Sequence, residues 1–323
     1  MNLKTTYLGL RLDNPIIVAS SPFTMDLPRI EKMYKAGAGA VVLKSVFEEQ
    51  VSNEAEYLSR YNDFPSAADY LNNYLEQEYL DSHLRLIEGA KKNVDIPVIA
   101  SINCAMSDTW LDYARSIEQA GADALELNIF LLPTDSEETS EKIEARYLDI
   151  AAKVTEHLRI PVSVKLGIRF TNVLNICREL YYRKVKGVVM FNRFFEPDID
   201  VDKMELIASD SLSERSELRN NLRTVGLCSP QLPHLDIAVS SGVHEGEDVV
   251  KSILTGAKAV QVCTALYRSG TDTIGRMKEF AAQWMERRGF SSIEEFRGLM
   301  SHKRLANEEV YERVQYMKFM PKK

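Results

Sequence analysis

Two lysines of this sequence stand inside apolar runs, where a positive charge requires a partner. Lys44 follows VVL at 41–43, and Lys165 lies in VSVKL at 162–166. An ammonium group that leaves water is destabilising unless a carboxylate or an electron-rich ligand faces it. Two interpretations therefore stay open. The lysines form a structural ion pair with a carboxylate such as Glu126, or they stabilise negative charge that develops on a bound molecule.

The stretch LELNIFLLP (125–133) joins a strand-like pattern to an apolar loop. Apolar residues alternate with Glu126 and Asn128, which is typical of a strand with one apolar face. We expect Glu126 to point inward toward the lysines in a structural role, and Asn128 to end the strand as a hydrogen-bonding amide. The residues that follow, 130–133, are apolar where a loop is ordinarily polar.

Polar residues also end the other apolar runs. A single polar tip is compatible with a strand that simply leaves the core, but lysine and asparagine are poor strand formers. The last two runs end in Ser241-Gly242 and in Cys263-Thr264, where backbone N–H groups and a hydroxyl can approach a ligand. These two turns predict a site for a phosphate group. The remaining polar tips are Ser20, Ser45, Asn103, Asn192 and Ser240.

Eight short β-rich runs alternate with helical patterns along the chain. Several runs are apolar throughout, as in parallel strands that are buried on both faces. Glycine ends the helical pattern at 36–40, 120–124 and 255–259, where a C-cap is expected. The order predicts an α/β fold, a (β/α)8 TIM barrel; the alternative, a doubly wound sheet, would need a GxGxxG motif after the first strand. The runs are 15–20, 40–45, 97–102, 123–128, 161–166, 187–192, 236–241 and 258–263.

Two connections are longer than the others: residues 46–75 follow the second run, and 193–235 follow the sixth. Both leave carboxyl ends of strands, where barrel enzymes place their active sites, so we expect these insertions to cover that face. Residues 5–12 predict a hairpin that closes the opposite end, and residues 290–323 predict a helical tail. Because no stretch resembles a linker, residues 1–323 are predicted to form a single domain.

The composition disfavours several classes of function. The chain has 323 residues and a net charge of −7, which gives no broad basic surface for nucleic acid or anionic lipid. Its four cysteines include no CxxC pair and its five histidines have no metal-ligand spacing, so no disulfide, metal site or iron–sulfur cluster is expected. The sequence has neither the roughly 20 apolar residues of a membrane span nor a signal peptide. We therefore expect a soluble, cytoplasmic protein.

Together these residues resemble the dihydroorotate dehydrogenases, which are barrels that bind flavin mononucleotide (FMN), and in particular the soluble class 1 enzymes. The stretches NPIIVAS, VVLKS, LELN and PVSVKL carry the resemblance, and residues 240–266 are the most specific. The resemblance implies that Lys44 and Lys165 support catalysis, with Lys165 near flavin N1 and O2, and that Lys44, Asn128 and Asn192 bind substrate. The implied cofactor-binding residues are Ala19, Ser20, Lys44, Ser45, Asn128, Lys165, Phe191, Ser241, Gly242, Cys263 and Thr264.

The substrate half of the resemblance is incomplete. In the family, a cysteine or serine base in the loop after the asparagine removes a proton while hydride leaves for flavin N5. Leu131 stands at that position and cannot accept a proton. Residues 60–75 lack the family's NxMGLPN segment. Arg193 either holds an anionic substrate or pairs with Glu196. Candidate replacement acids or bases in the covering loops are Tyr57, Tyr61, Asp63, Asp69 and Asp135.

The resemblance implies an FMN-dependent oxidoreductase of pyrimidine metabolism. It would transfer hydride between a CH–CH group of a small, pyrimidine-like substrate and flavin N5. Oxidation of dihydroorotate itself would lack its base, because Leu131 occupies that position. An alternative from another class is a catalytically silent flavoprotein with a binding or regulatory role, and a third is a phosphate-binding barrel without flavin. The resemblance also implies a homodimer.

Overall fold

The computed structural model describes residues 1–47, 65–103, 108–194, 196–208, 210–307 and 309–312. In it the predicted (β/α)8 barrel is confirmed. Each of eight parallel strands pairs with the next along the chain, and the last pairs with the first, so the sheet is closed and the doubly wound alternative is excluded. The strands are β1 (Ile16–Val18), β2 (Ala40–Val42), β3 (Val98–Asn103), β4 (Ala124–Asn128), β5 (Val162–Leu166), β6 (Gly187–Met190), β7 (Asp236–Ser240) and β8 (Ala259–Val262). A two-residue strand, Val46–Phe47, extends the sheet beside β3.

The barrel interior has an apolar floor and a polar upper layer. Ile99, Ala124 and Ala259 belong to the floor, together with inward-facing residues of the other strands. Two residues further along the same strands, on the same face, the side chains become polar. The buried polar residues of this upper layer include Ser101, Glu126, Lys165 and Gln261. The polar layer therefore lies toward the carboxyl ends of the strands.

The predicted N-terminal hairpin closes the floor. Its strands, Thr5–Tyr7 and Leu10–Leu12, are antiparallel, and their apolar side chains pack against the floor residues. The backbone N–H of Leu8 donates to the carboxylate of Asp236 at 2.7 Å, which attaches the hairpin turn to the start of β7. Because the amino-terminal end is closed in this way, the carboxyl end is the open mouth of the barrel.

Helices surround the strands and bury the outer faces of the sheet. The helical patterns end at Gly37, Gly121 and Gly256, whose φ angles are 90°, 94° and 112°, as the C-cap prediction requires. The helices are Leu27–Lys35, Pro65–Asn93, Asp108–Gln119, Ser140–His157, Val173–Tyr182, Leu218–Cys228, Gly246–Thr255, Thr264–Ser269 and Thr273–Arg288. Within the described ranges, none of the helices combines the length and the apolar character that crossing a bilayer requires.

The insertion after β6 contains an antiparallel hairpin, Pro197–Asp200 with Glu205–Ala208, and the barrel helix Leu218–Cys228. Most of the insertion predicted after β2, residues 48–64, lies outside the described residues. The predicted helical tail is found only in part: among the described residues from 290 onward, short helices span Ile293–Phe296, His302–Arg304 and Glu309–Glu312. Gly298, with a φ of 70°, interrupts the helical path between the first two.

Candidate active site

Two adjoining cavities open at the mouth of the barrel. The mouth cavity has a volume of about 300 Å³, and the second, the strand-7/8 cavity, about 230 Å³. They share Ser20, Lys165, Asn192 and Arg193, so one elongated ligand can occupy both. The mouth cavity is also lined by Lys44, Ser45, Asn103, Glu126, Asn128, Phe130 and Phe194. The strand-7/8 cavity is also lined by Ala19, Ser211, Ser213, Ser240, Ser241, Gly242, Val243, Gln261, Cys263 and Thr264.

Of the residues that the resemblance assigns to the cofactor, to the substrate or to the position of the family's base, all but two line these cavities. The exceptions are Phe191 and Leu131. Phe191 is 2% exposed and packs in the core between strands and helices, since its neighbour Asn192 takes the cavity-facing position. Leu131 packs against the same core and lines a separate pocket of about 180 Å³. The structure thus gathers the predicted residues but turns these two side chains away.

An aromatic pair bounds the mouth cavity on the side of the apolar loop. The rings of Phe130 and Phe194 are in contact, with centroids 4.3 Å apart, and both line the cavity. Gly167 makes room for the pair, because a Cβ atom at that position would lie 2.5 Å from Cζ of Phe194. Phe130, not Leu131, is therefore the residue of the loop that faces the mouth cavity.

Two asparagine amides lie side by side at the strand ends. Asn192 Nδ2 donates to Asn128 Oδ1 at 2.7 Å. Asn128 is also in register with Lys165 of the next strand. The bond uses one donor of Asn192 and the oxygen of Asn128, so the second N–H of Asn192, both N–H groups of Asn128 and the carbonyl oxygen of Asn192 are suited to a planar polar ligand.

Glu126 and Lys165 are linked through a residue that the sequence analysis missed. Lys165 Nζ donates to Gln261 Oε1 at 3.1 Å, and Gln261 Nε2 donates to Glu126 Oε2 at 2.5 Å. The direct ion pair of the first interpretation is thus replaced by a bridge through an amide. Burial raises the pKa of Glu126, while the charge of Lys165 and the bond from Gln261 oppose that rise. The sequence feature that could have identified Gln261 is its place as a glutamine within the otherwise apolar strand β8.

Lys44 lies at the opposite wall of the mouth cavity, next to a chain of serine hydroxyls. Burial lowers the pKa of Lys44. The hydroxyl of Ser45 contacts those of Ser20 at 2.9 Å and of Ser101 at 2.7 Å. These hydroxyls hold one another in place across β1, β2 and β3, so the wall of the cavity is fixed before a ligand arrives.

The strand-7/8 cavity has the chemistry of an anion site. Two cations, Lys165 and Arg193, line it, and among the described residues its lining includes no carboxylate. Ser241 and Gly242 have φ angles of 72° and 79°, which turn the chain at the end of β7. The Gly242 N–H donates to the Ser213 hydroxyl at 3.3 Å, and that hydroxyl lies 3.0 Å from Thr264 Oγ1. A phosphate group would share these donors, so the residues fit a ligand that carries a phosphate.

The remaining candidates are placed as follows. Arg193 pairs with Glu217 at 3.3 Å instead of Glu196, and it also lines both cavities. His244 contacts the Ser213 hydroxyl at 3.2 Å, and burial lowers its pKa. Asp135 is exposed. Tyr57, Tyr61, Asp63 and the side chain of Asp69 lie outside the described residues. In the described ranges, no three His, Cys, Asp or Glu side chains are grouped to hold a metal ion.

Comparisons with known proteins point to one family. The family model described as dihydroorotate dehydrogenase matches residues 2–285. The chain is 27% identical to the dihydroorotate dehydrogenase B (NAD(+)) catalytic subunit of Thermoplasma acidophilum, over 92% of this chain and 98% of that protein. It is 26% identical to the corresponding subunit of Pyrococcus furiosus, over 93% and 99%. It is also 22% identical to the NAD-dependent dihydropyrimidine dehydrogenase subunit PreA of Escherichia coli, over 93% and 77%.

Proposed function

We propose that this chain, which belongs to the dihydroorotate dehydrogenase family, is an FMN-dependent oxidoreductase that acts on a CH–CH group of a small, pyrimidine-like substrate. The three relatives described above are named as subunits of dehydrogenases, which are oxidoreductases that act on CH–CH donors. The observation that carries the proposal is the continuity of two cavities at Lys165 and Asn192. One cavity suits an anionic phosphate, and the other suits a planar ring with polar edges.

The FMN site would extend from β1 to the turns after β7 and β8. Ser241, Gly242 and Thr264 would hold the phosphate through N–H and hydroxyl donors. The flavin ring would lie toward the shared residues of the two cavities, where Lys165 favours the electron-rich end of the ring. Ala19, Ser20, Ser45 and Cys263 complete the proposed contacts, and Phe191 stays a prediction without a side-chain contact in the cavities. Bound FMN would supply the two-electron redox chemistry.

The substrate would occupy the mouth cavity. Asn128 and Asn192 offer amide donors and an acceptor side by side, and Lys44 offers a positive charge on the opposite wall. These groups suit a ring that carries carbonyl oxygens and N–H groups. They orient the substrate and do not remove a proton from carbon.

Dihydroorotate itself is disfavoured as the substrate. The expected position of the base is occupied by Leu131, and the neighbouring loop residue that faces the mouth cavity is Phe130. Neither side chain accepts a proton. The same observation favours a second candidate function, a flavoprotein that binds a ligand without turning it over.

The visible absorbance of the purified protein tests the cofactor. We expect flavin bands, or their appearance after FMN is added and the excess removed. A colourless protein that does not bind added FMN would support the third hypothesis, a phosphate-binding barrel without flavin.

Anaerobic titration with dihydropyrimidines and cyclic enones then separates the two flavoprotein hypotheses. Rapid bleaching or reoxidation by any of them supports the enzyme, and no response supports the silent protein. Bleaching by dihydroorotate at an enzymatic rate would contradict the argument against that substrate.

We also propose a cytoplasmic homodimer. The resemblance to class 1 dihydroorotate dehydrogenases supports the dimer, and the acidic composition with its lack of paired cysteines supports a reducing compartment. Light scattering of the purified chain should give twice the mass of 36.7 kDa. A monomer mass would contradict the dimer.

A further inference from the structure

Glu126 is a buried carboxylate of which one oxygen has no hydrogen-bond partner among the described residues. Its exposed fraction is 1%, its Oε2 accepts from Gln261, and its Oε1 has no partner. A carboxylate in such a place is destabilising unless a positive charge compensates it. The proposed function gives Glu126 no part in proton transfer. Its burial in the polar layer therefore needs another explanation.

The polarity of the groups fixes how Gln261 connects Glu126 to Lys165. An ammonium group only donates hydrogen bonds, and an ionised carboxylate only accepts them. The amide of Gln261 satisfies both neighbours in a single orientation, with its oxygen toward Lys165 Nζ and its nitrogen toward Glu126, as observed. The three side chains therefore form a polarised chain that runs from the shared wall of the two cavities into the barrel interior.

We propose that Glu126 is a positioning residue that holds Lys165 through Gln261 and attenuates the positive field of Lys165 at the flavin. The proposal rests on the proposed function, because it requires FMN to lie against Lys165. Reduction adds negative charge to the N1–O2 end of a flavin, and a nearby ammonium stabilises that charge. A carboxylate behind the ammonium offsets part of the stabilisation. Glu126 thus keeps the reduction potential below the value that Lys165 alone would give.

The substitution Glu126→Gln tests the proposal, because it keeps the size of the side chain and removes its charge. The midpoint potential of the FMN-loaded protein would be measured at neutral pH by anaerobic equilibration with reference dyes. We expect a more positive potential in the variant, while the flavin spectrum and the unfolding temperature stay close to those of the wild type. A purely structural role would change the unfolding temperature and leave the potential where it was, which would overturn the proposal.

Asp236→Asn is the matched control. Asp236 is a partly buried carboxylate at the barrel floor, where it accepts a hydrogen bond from the hairpin and not from the Gln261 bridge. Its neutralisation should leave the FMN potential unchanged. An equal positive shift in this control would mean that any buried carboxylate of the barrel has the effect, and the specific role of Glu126 would be wrong.

A second variant, Gln261→Leu, tests the bridge independently of changes at Glu126. Without the amide, the buried carboxylate loses its hydrogen bond and is expected to bind a proton, which removes its charge. Gln261→Leu should therefore also raise the potential, and the double variant should shift no further than the larger single shift. Fully additive shifts would show that the two residues act separately and would contradict the bridge.

The outcomes also separate this inference from the proposed function. If the wild type does not bind FMN, both fail. If the variants bind FMN and their potentials are unchanged, this inference alone is overturned.

Discussion

Gly242 lies at the end of β7, where the chain turns under the proposed phosphate site. Its φ of 79° is in the left-handed region, and a Cβ atom there would come within 2.5 Å of the backbone nitrogen of Leu218. The neighbouring atom is backbone and cannot rotate away. At the scale of one residue, the anion site therefore depends on the absence of a side chain.

Replacing Gly242 with alanine should weaken FMN binding about 5- to 150-fold, since backbone strain of about 1–3 kcal/mol is introduced where the phosphate binds. Fluorescence titration of the apoprotein with FMN measures the affinity. Gly289→Ala is the matched control. Gly289 caps the end of the helix Thr273–Arg288 with a φ of 75°. A Cβ atom at this position would meet nothing within 4 Å. The substitution should cost about 1 kcal/mol of stability and leave FMN affinity unchanged. Equal loss of affinity in both variants would contradict the steric explanation.

The loop after β4 shows what an element contributes beyond its sequence. Residues 129–133 are apolar throughout, yet they face different surroundings. Ile129 is buried in the core, Phe130 lines the mouth cavity, and Leu132 is 54% exposed and lines only the adjacent pocket. The loop therefore shields one side of the site with a single ring, supported by Phe194.

Truncation of Phe130 to alanine should make bound flavin more accessible to solvent. We expect a larger Stern–Volmer constant for iodide quenching of flavin fluorescence. Because Phe130 is 41% exposed, the loss of stability should remain within about 1 kcal/mol. Leu132→Ala serves as the control, since Leu132 belongs to the same loop but does not line the mouth cavity. If quenching is the same in wild type and Phe130→Ala, the loop does not shield the flavin.

The whole molecule is held together at the barrel floor by residues from both ends of the chain. Arg297 donates to Thr5 Oγ1 at 2.8 Å, to Glu294 Oε1 at 2.6 Å, and to the carbonyl oxygen of Ala257. Thr5 belongs to the N-terminal hairpin, and its hydroxyl donates to the carbonyl oxygen of Lys258. The irregular tail therefore stabilises the closed end of the barrel, opposite the site.

Replacing Arg297 with alanine should lower the free energy of unfolding by about 2–3 kcal/mol, because it removes charge-assisted and partly buried hydrogen bonds. Arg297 lowers the pKa of Glu294 from its unfolded value of 4.5. A lowered folded-state pKa contributes stability that is present above 4.5 and is lost as pH falls through the folded-state value. Urea unfolding at neutral and acidic pH should therefore show a difference in the free energy of unfolding between wild type and variant that shrinks at acidic pH.

Arg287→Ala is the control, because it changes an exposed arginine and should leave the free energy of unfolding almost unchanged. A pH-independent difference for Arg297→Ala would contradict the link to Glu294.

The sequence determined the barrel and most of the cavity lining, because both depend on local patterns. Apolar runs of strand length, each followed by a helical pattern, specify parallel strands that alternate with helices, and glycine caps mark several of the helix ends. A polar residue at the end of such a strand must lie at the mouth, as Lys165, Asn192 and Thr264 do. Departures arose where neighbours compete for one face. Asn192 takes the cavity-facing position, so its neighbour Phe191 packs in the core. In the loop after β4, Phe130 faces the mouth cavity, so its neighbour Leu131 packs against the core.

Only the tertiary structure decided which polar side chains meet. Glu126 and Gln261 are 135 positions apart and come into contact because β4 and β8 face each other across a closed barrel. The sequence identified a buried carboxylate and a buried lysine, and it left a direct ion pair and a bound ligand open as the partner of the lysine. Closure of the sheet places an amide between them. Because strand identity is local while contacts across the barrel depend on every strand in the ring, the sequence specified the groups and the fold specified their partners.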